Sequence, residues 1–156
     1  MKLKLIGYWS DPKGNRVYPH PKDLVDPNWH PELREKLAAY LLSGTIFANY
    51  WDHSHCRFED GPPDQEMGSK DLTDGQFVWP QGLHIYVSRY NVVLPEDFVE
   101  HMKSNNFVIP QNTPRVIPLA FTRSKEHRNP EEFIGAEIDH DYWIEWATRH
   151  AAQSSN

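Results

Sequence analysis

The sequence predicts an α+β fold in which an antiparallel sheet packs against about four helices within a single domain. Three observations support this prediction. Residues 71–101 read as a β-hairpin followed by two helices, each of which begins at a proline. Apolar residues alternate along residues 3–9, which is typical of a strand with one buried face. Along residues 31–43 they recur every three or four positions, as in an amphipathic helix.

The remaining elements follow from the same patterns. We expect strands at residues 3–9, 45–58 and 69–79, and helices at residues 31–43, 80–90, 95–104 and 139–151. Two proline-rich stretches are expected as loops, because proline fixes φ and removes a backbone donor; they are residues 11–31 and 107–129. Within the second stretch, residues 116–121 suit an edge strand or a bulge. Residues 1–151 form the domain, and residues 152–156 form a disordered polar tail.

The hairpin turn is predicted at Asp74-Gly75, the residue pair that a two-residue type I′ turn prefers. With that turn Leu72 would lie opposite Phe77, and Lys70 opposite Trp79 on the same face of the sheet. The lysine would then lie over the indole ring.

The acids near residue 139 allow two interpretations. Glu137, Asp139 and Asp141 alternate along the chain, so in an extended segment their carboxylates would share a face and could hold a divalent ion. We favour the other interpretation, in which Asp139 caps the last helix and the acids lie near its positive end.

Charge and cysteine content restrict the function classes. The chain has 22 acidic and 16 basic residues, a formal net charge of −6, and no window that concentrates Lys and Arg. Nucleic acid is therefore not expected as a main ligand, and an acidic surface suits a basic protein partner. The single cysteine, Cys56, allows no intramolecular disulfide, and the short apolar run at the start is neither a signal peptide nor a membrane span. These features predict a cytoplasmic protein of bacterial type.

Aromatic residues are abundant, with six Trp, seven Tyr and seven Phe. We expect them mainly to build the core, because each ring buries a large apolar area. The alternative is a surface lined by rings that binds a protein or a sugar. The candidate binding residues for such a surface are Trp51, Trp79, Asp71 and Arg57.

Residues 55–99 contain the pattern C-R-F, then L-T-D-G-x-x-x-W-P-x-G-L-x-x-Y-V, then L-P-x-x-F. This pattern resembles a family of small uncharacterised bacterial proteins, and it covers less than a third of the chain. The resemblance implies a bacterial single-domain protein and transfers no functional residue.

Residues 52–56, Asp-His-Ser-His-Cys, are the densest group of side chains that can carry chemistry. On a strand His53 and His55 would point to one face and could bind one metal ion together. A further ligand would come from His84, His101, Asp74 or Asp71. Surface or core-edge histidines are the simpler interpretation, so we expect no cofactor, with zinc as the alternative.

The same segment offers a cysteine nucleophile. Cys56 would be activated by His55 or His84, and the neighbouring Arg57 would lower the pKa of the thiol. The simpler interpretation is that Cys56 is a small buried apolar residue.

The chain contains none of the sequence signatures of nucleotide hydrolysis, dinucleotide binding or serine hydrolase chemistry. Size, charge and aromatic content favour a non-enzymatic acidic protein-binding module, such as an immunity-type protein that neutralises a partner protein. The alternative is a metal- or cysteine-dependent hydrolase centred on residues 52–56.

Overall fold

A mixed six-stranded sheet with helices around it confirms the α+β prediction. The computed structural model describes residues 2–14, 16–50, 52–111, 113, 115–118 and 133–154. For residues 115–118, 133–136 and 154 it describes the backbone alone.

The strands are β1 (Lys2–Leu5), β2 (Thr45–Asn49), β3 (Lys70–Thr73), β4 (Phe77–Pro80), β5 (Arg115–Pro118) and β6 (Phe133–Asp139). The helices are α1 (Arg34–Leu42), α2 (Asp64–Met67), α3 (Leu83–Tyr90), α4 (Glu96–Ser104) and α5 (His140–Ser154), with a short 3-10 helix at Pro21–Leu24. Within the described residues, no helix has the length and apolar character needed to cross a membrane.

The sheet is mixed, so the prediction of a purely antiparallel sheet is wrong. The strand order is β2-β3-β4-β1-β6-β5. Strands β2, β3 and β4 pair antiparallel, whereas β1 runs parallel to both β4 and β6, and β5 runs parallel to β6. Two features account for the error. Strand β1 is parallel to β4, and β6 was not among the predicted strands, because the interpretation favoured for its acids was a helix cap.

The hairpin forms with a different register from the predicted one. Leu72 pairs with Trp79 and Thr73 pairs with Val78, so the turn lies at Gly75 and Gln76. Gly75 has a φ of +95°, a value that side chains disfavour. The carboxylate before the glycine shifts the turn, since Asp74 Oδ1 accepts hydrogen bonds from the Gln76 and Phe77 N–H groups at 3.0 and 2.9 Å.

Several predicted boundaries change at prolines and loops. Strand β2 ends at Asn49 instead of residue 58, and the short helix α2 lies between β2 and β3, where no helix was predicted. Pro80 does not begin a helix, because it still pairs with Asp71 in the sheet, and α3 begins at Leu83. A proline at the end of a strand needs no N–H donor there, which explains its position.

The last helix agrees with the predicted cap. Asp139 precedes α5, and its Oδ1 accepts a hydrogen bond from the Tyr142 N–H at 3.1 Å. The helix continues to Ser154, three residues into the segment predicted as a disordered tail.

Aromatic rings fill much of the interior, as the composition predicts. Trp79 of the sheet lies between Tyr40 of α1 and Phe98 of α4, with ring centroids 6.1 and 5.5 Å away. A second group joins Trp9 to Tyr86 of α3 at 5.1 Å and to Trp143 of α5 at 5.6 Å. The first group attaches α1 and α4 to the sheet, and the second attaches α3 and α5 to the segment after β1.

Candidate functional site

The candidate site lies where the parallel strands β1 and β4 end side by side. In sheets with parallel strands, ligands commonly bind outside the carboxyl ends of the strands. Here a polar cleft of about 310 Å³ opens at that edge, and Tyr8, Ser54 and Pro80 line it. Ser54 belongs to the loop after β2, whose backbone is held by the bond from the Ser54 N–H to the Gly68 carbonyl at 2.9 Å.

A buried carboxylate and two phenols form the centre of this cleft. Asp71 is 5% exposed, and its Oδ2 accepts hydrogen bonds from the Tyr8 hydroxyl at 2.5 Å and from the Tyr50 hydroxyl at 2.8 Å. Asp71 lies on strand β3, Tyr8 lies on the segment that follows β1, and Tyr50 is the residue after β2. Two hydroxyl donors from distant parts of the sequence thus share one acceptor oxygen of Asp71.

Burial controls the protonation of this group. It raises the pKa of Asp71 above its ordinary value, although the hydrogen bonds from the two phenols act in the opposite direction. Burial and the nearby Asp71 charge raise the pKa of Tyr50 to about 12 and raise that of Tyr8 well above its ordinary value. Both phenols therefore remain donors at neutral pH.

The structure separates the predicted metal ligands. Residues 52–56 are not in a strand, so the alternation that would bring His53 and His55 to one face does not apply. Both histidines are exposed, and the His55 Nδ1 lies 2.8 Å from Asp64 Oδ1. Among the described residues, no three His, Cys, Asp or Glu side chains are grouped so that they could hold a metal ion.

The predicted nucleophile lies inside the protein. Cys56 is 4% exposed, and its Sγ closely approaches Gly61. The two histidines proposed as bases have other hydrogen-bond partners than the thiol. His84 Nδ1 is 2.9 Å from the Gln81 carbonyl, and His55 is bonded to Asp64. Cys56 thus has the position that the simpler interpretation predicts.

The four candidate binding residues are in different environments. Trp79 is 0% exposed and donates its indole N–H to the Leu41 carbonyl at 2.9 Å, so it belongs to the core and offers no surface to a ligand. Asp71 and Arg57 both line clefts at the site. Trp51 lies outside the described residues.

A second buried carboxylate, Asp74, stabilises the hairpin turn. Its Oδ2 lies 2.9 Å from His101 Nε2 and accepts a hydrogen bond from the Tyr40 hydroxyl at 2.7 Å. Burial alone would raise the pKa of Asp74, but the hydrogen bonds from His101, from two backbone N–H groups and from Tyr40 outweigh it and lower that pKa. This network fastens the turn to α1 and α4.

The site residues that the sequence analysis missed are Tyr8 and Tyr50. The only available signal was an aspartate inside a predicted strand, since a buried carboxylate requires hydrogen-bond donors from elsewhere. Comparisons with protein-family models, with curated proteins and with solved structures found no match to this chain.

Proposed function

We propose that this chain is an acidic binding module that masks a basic surface of a partner protein, in the manner of an immunity-type protein. The proposal includes a cytoplasmic location, which an unpaired and buried Cys56 suits. The observation that carries the proposal is a group of exposed carboxylates on one ordered segment with two stacked rings beside it.

Four carboxylates define what we call the acidic edge, and all four are exposed. They belong to Glu59, Asp60, Asp64 and Glu66. The segment is anchored to α3, because the Asp60 carbonyl accepts a hydrogen bond from Arg89 at 2.8 Å and the Asp60 Oδ1 accepts one from the Tyr90 hydroxyl at 3.0 Å. An ordered acidic surface steers a basic partner into place and costs little ordering entropy on binding.

Two stacked rings lie beside the acidic edge. Phe58 and Tyr90 are parallel to within 14°, with ring centroids 4.2 Å apart, and each is partly exposed. Aromatic side chains next to charged rims are the typical anchors of protein interfaces.

The test neutralises acids whose side chains hold no part of the fold. Glu59→Gln with Glu66→Gln removes two charges from the acidic edge, and the described structure gives neither side chain a hydrogen bond or an ion pair. We expect the wild-type chain to recover a basic partner at a stoichiometric ratio from extract of the native host at low salt. The double variant should bind that purified partner about tenfold more weakly.

The matched control neutralises two exposed acids on helices, Glu35→Gln with Glu145→Gln. It changes net charge equally and should retain wild-type affinity. The proposal fails if no partner is recovered at low salt, or if both double variants bind equally well.

A further inference from the structure

In the part of the chain that the structure describes, one buried indole N–H has no hydrogen-bond partner. Trp79 donates to the Leu41 carbonyl at 2.9 Å, and Trp143 donates to the Tyr8 carbonyl at 2.7 Å. Trp9 is 8% exposed, and its Nε1 is buried without any partner in the described structure. Since nearly all buried donors in proteins are paired, an unpaired donor is a position where a bound acceptor would gain a hydrogen bond.

Trp9 lines a partly open cavity of about 170 Å³ at the ends of β1 and β4. The wall is largely apolar and includes Met67, Pro80 and Leu83. An apolar cavity of about 150 Å³ is large enough for benzene. The cavity therefore has room for a group of the size of one ring.

Arg57 gives this cavity a positive charge. It is the single Lys, Arg, Asp or Glu residue that lines it, and no carboxylate of the described residues lies within ion-pair distance of its guanidinium. Its Nε donates to the Ser10 carbonyl at 3.1 Å and its Nη1 donates to the His55 carbonyl at 2.7 Å. These carbonyls fix the orientation of the guanidinium but leave its charge unneutralised.

The cavity also has a route to solvent. Arg57 and His55 line both this cavity and a larger open groove of about 730 Å³ next to it. A ligand can therefore enter past these two residues and place an anionic group beside them.

We propose that this cavity binds a small carboxylate whose apolar body is about the size of one ring. The carboxylate would accept hydrogen bonds from the Trp9 indole and the Arg57 guanidinium, and the body would contact Met67, Pro80 and Leu83. A charged acceptor satisfies both donors at once, and the apolar wall favours an unsubstituted body. This site is independent of the acidic edge, so either proposal can fail alone.

Benzoate is the probe, followed by the six indole N–H signals in ¹⁵N-correlated NMR spectra. The signals are assigned with single Trp→Phe variants. We expect the Trp9 signal to shift saturably with a dissociation constant of about 1 mM or tighter, while the Trp79 signal serves as an internal reference. Benzyl alcohol has the same ring without the charge and should bind at least about tenfold more weakly.

Two variants separate recognition from folding. Trp9→Phe replaces the indole with a single aromatic ring and removes the N–H, and Arg57→Gln removes the charge. Each should weaken benzoate binding about tenfold or more and weaken benzyl alcohol binding much less. Trp29→Phe, at an indole that donates to Glu96, is the control with no expected effect. Equal affinity for benzoate and benzyl alcohol, or unchanged benzoate binding by Trp9→Phe, would overturn the proposal.

Discussion

Three buried tryptophans allow a direct measurement of what an unmade hydrogen bond is worth in this protein. Trp9→Phe, Trp79→Phe and Trp143→Phe each remove the same atoms from side chains that are 8%, 0% and 0% exposed. The lost packing is therefore similar, whereas only the last two changes break a hydrogen bond, to Leu41 and Tyr8.

The difference follows from the partners left behind. Breaking such a bond costs a net ~1 kcal/mol, and leaving a carbonyl oxygen unsatisfied brings the loss to about 1–3 kcal/mol. Trp9→Phe removes a donor that is already unpaired, so no carbonyl loses a partner. We expect Trp79→Phe and Trp143→Phe to destabilise the protein by about 1–2 kcal/mol more than Trp9→Phe does.

Urea unfolding followed by circular dichroism measures the three free energies of unfolding, with equal m values as the check that the unfolded states match. The reasoning is refuted if Trp9→Phe is as destabilising as the other two. That result would mean that the Trp9 N–H already has a partner of equal value in solution.

Three further predictions concern the buried carboxylates and one glycine. The pKa of Asp71 is raised in the folded state. The contribution of Asp71 to stability therefore falls as pH rises from 3.8, its ordinary pKa, through the raised pKa. In unfolding curves measured across pH, Asp71→Asn should abolish this fall. The pKa of Asp74 is lowered in the folded state, so its contribution to stability is present above pH 3.8 and is lost as pH falls through the lowered pKa. Asp74→Asn should remove this loss at acid pH, so it should change the slope of stability against pH in the direction opposite to Asp71→Asn. Gly82→Ala would place a Cβ 2.9 Å from the Met67 carbonyl oxygen and should cost about 1–3 kcal/mol in thermal or urea unfolding, whereas Gly14→Ala, whose nearest contact is 3.5 Å, should be nearly neutral.

Elements with local signals could be predicted from the sequence. Helix α4 begins after Pro95, and Phe98, Val99 and Met102 are buried as their spacing predicts. The cap of α5 at Asp139 is equally local, since its partner is three residues away. Such features depend on interactions within one or two helical turns, which the order of residues reveals directly.

Features that depend on distant partners could not be predicted. Nothing near Lys2–Leu5 indicates that β1 pairs with Phe133–Asp139, because parallel pairing leaves no turn signal between the strands. The site shows the same limit: Asp71 was named as a binding residue, but its phenol donors come from two other segments. In the hairpin, hydrogen bonds to the Asp74 side chain fix the register, whereas the Asp74-Gly75 pair alone predicts a different turn.

The position of β1 has a consequence for biosynthesis. Strand β1 lies inside the sheet, between β4 and β6. Its pairing with β6 can form only after residues near 139 have left the ribosome. Until then its free edge needs protection from wrong pairing, and the sheet is completed only after residues 133–139 have been translated. Final assembly should therefore be slow and governed by a long-range closure step.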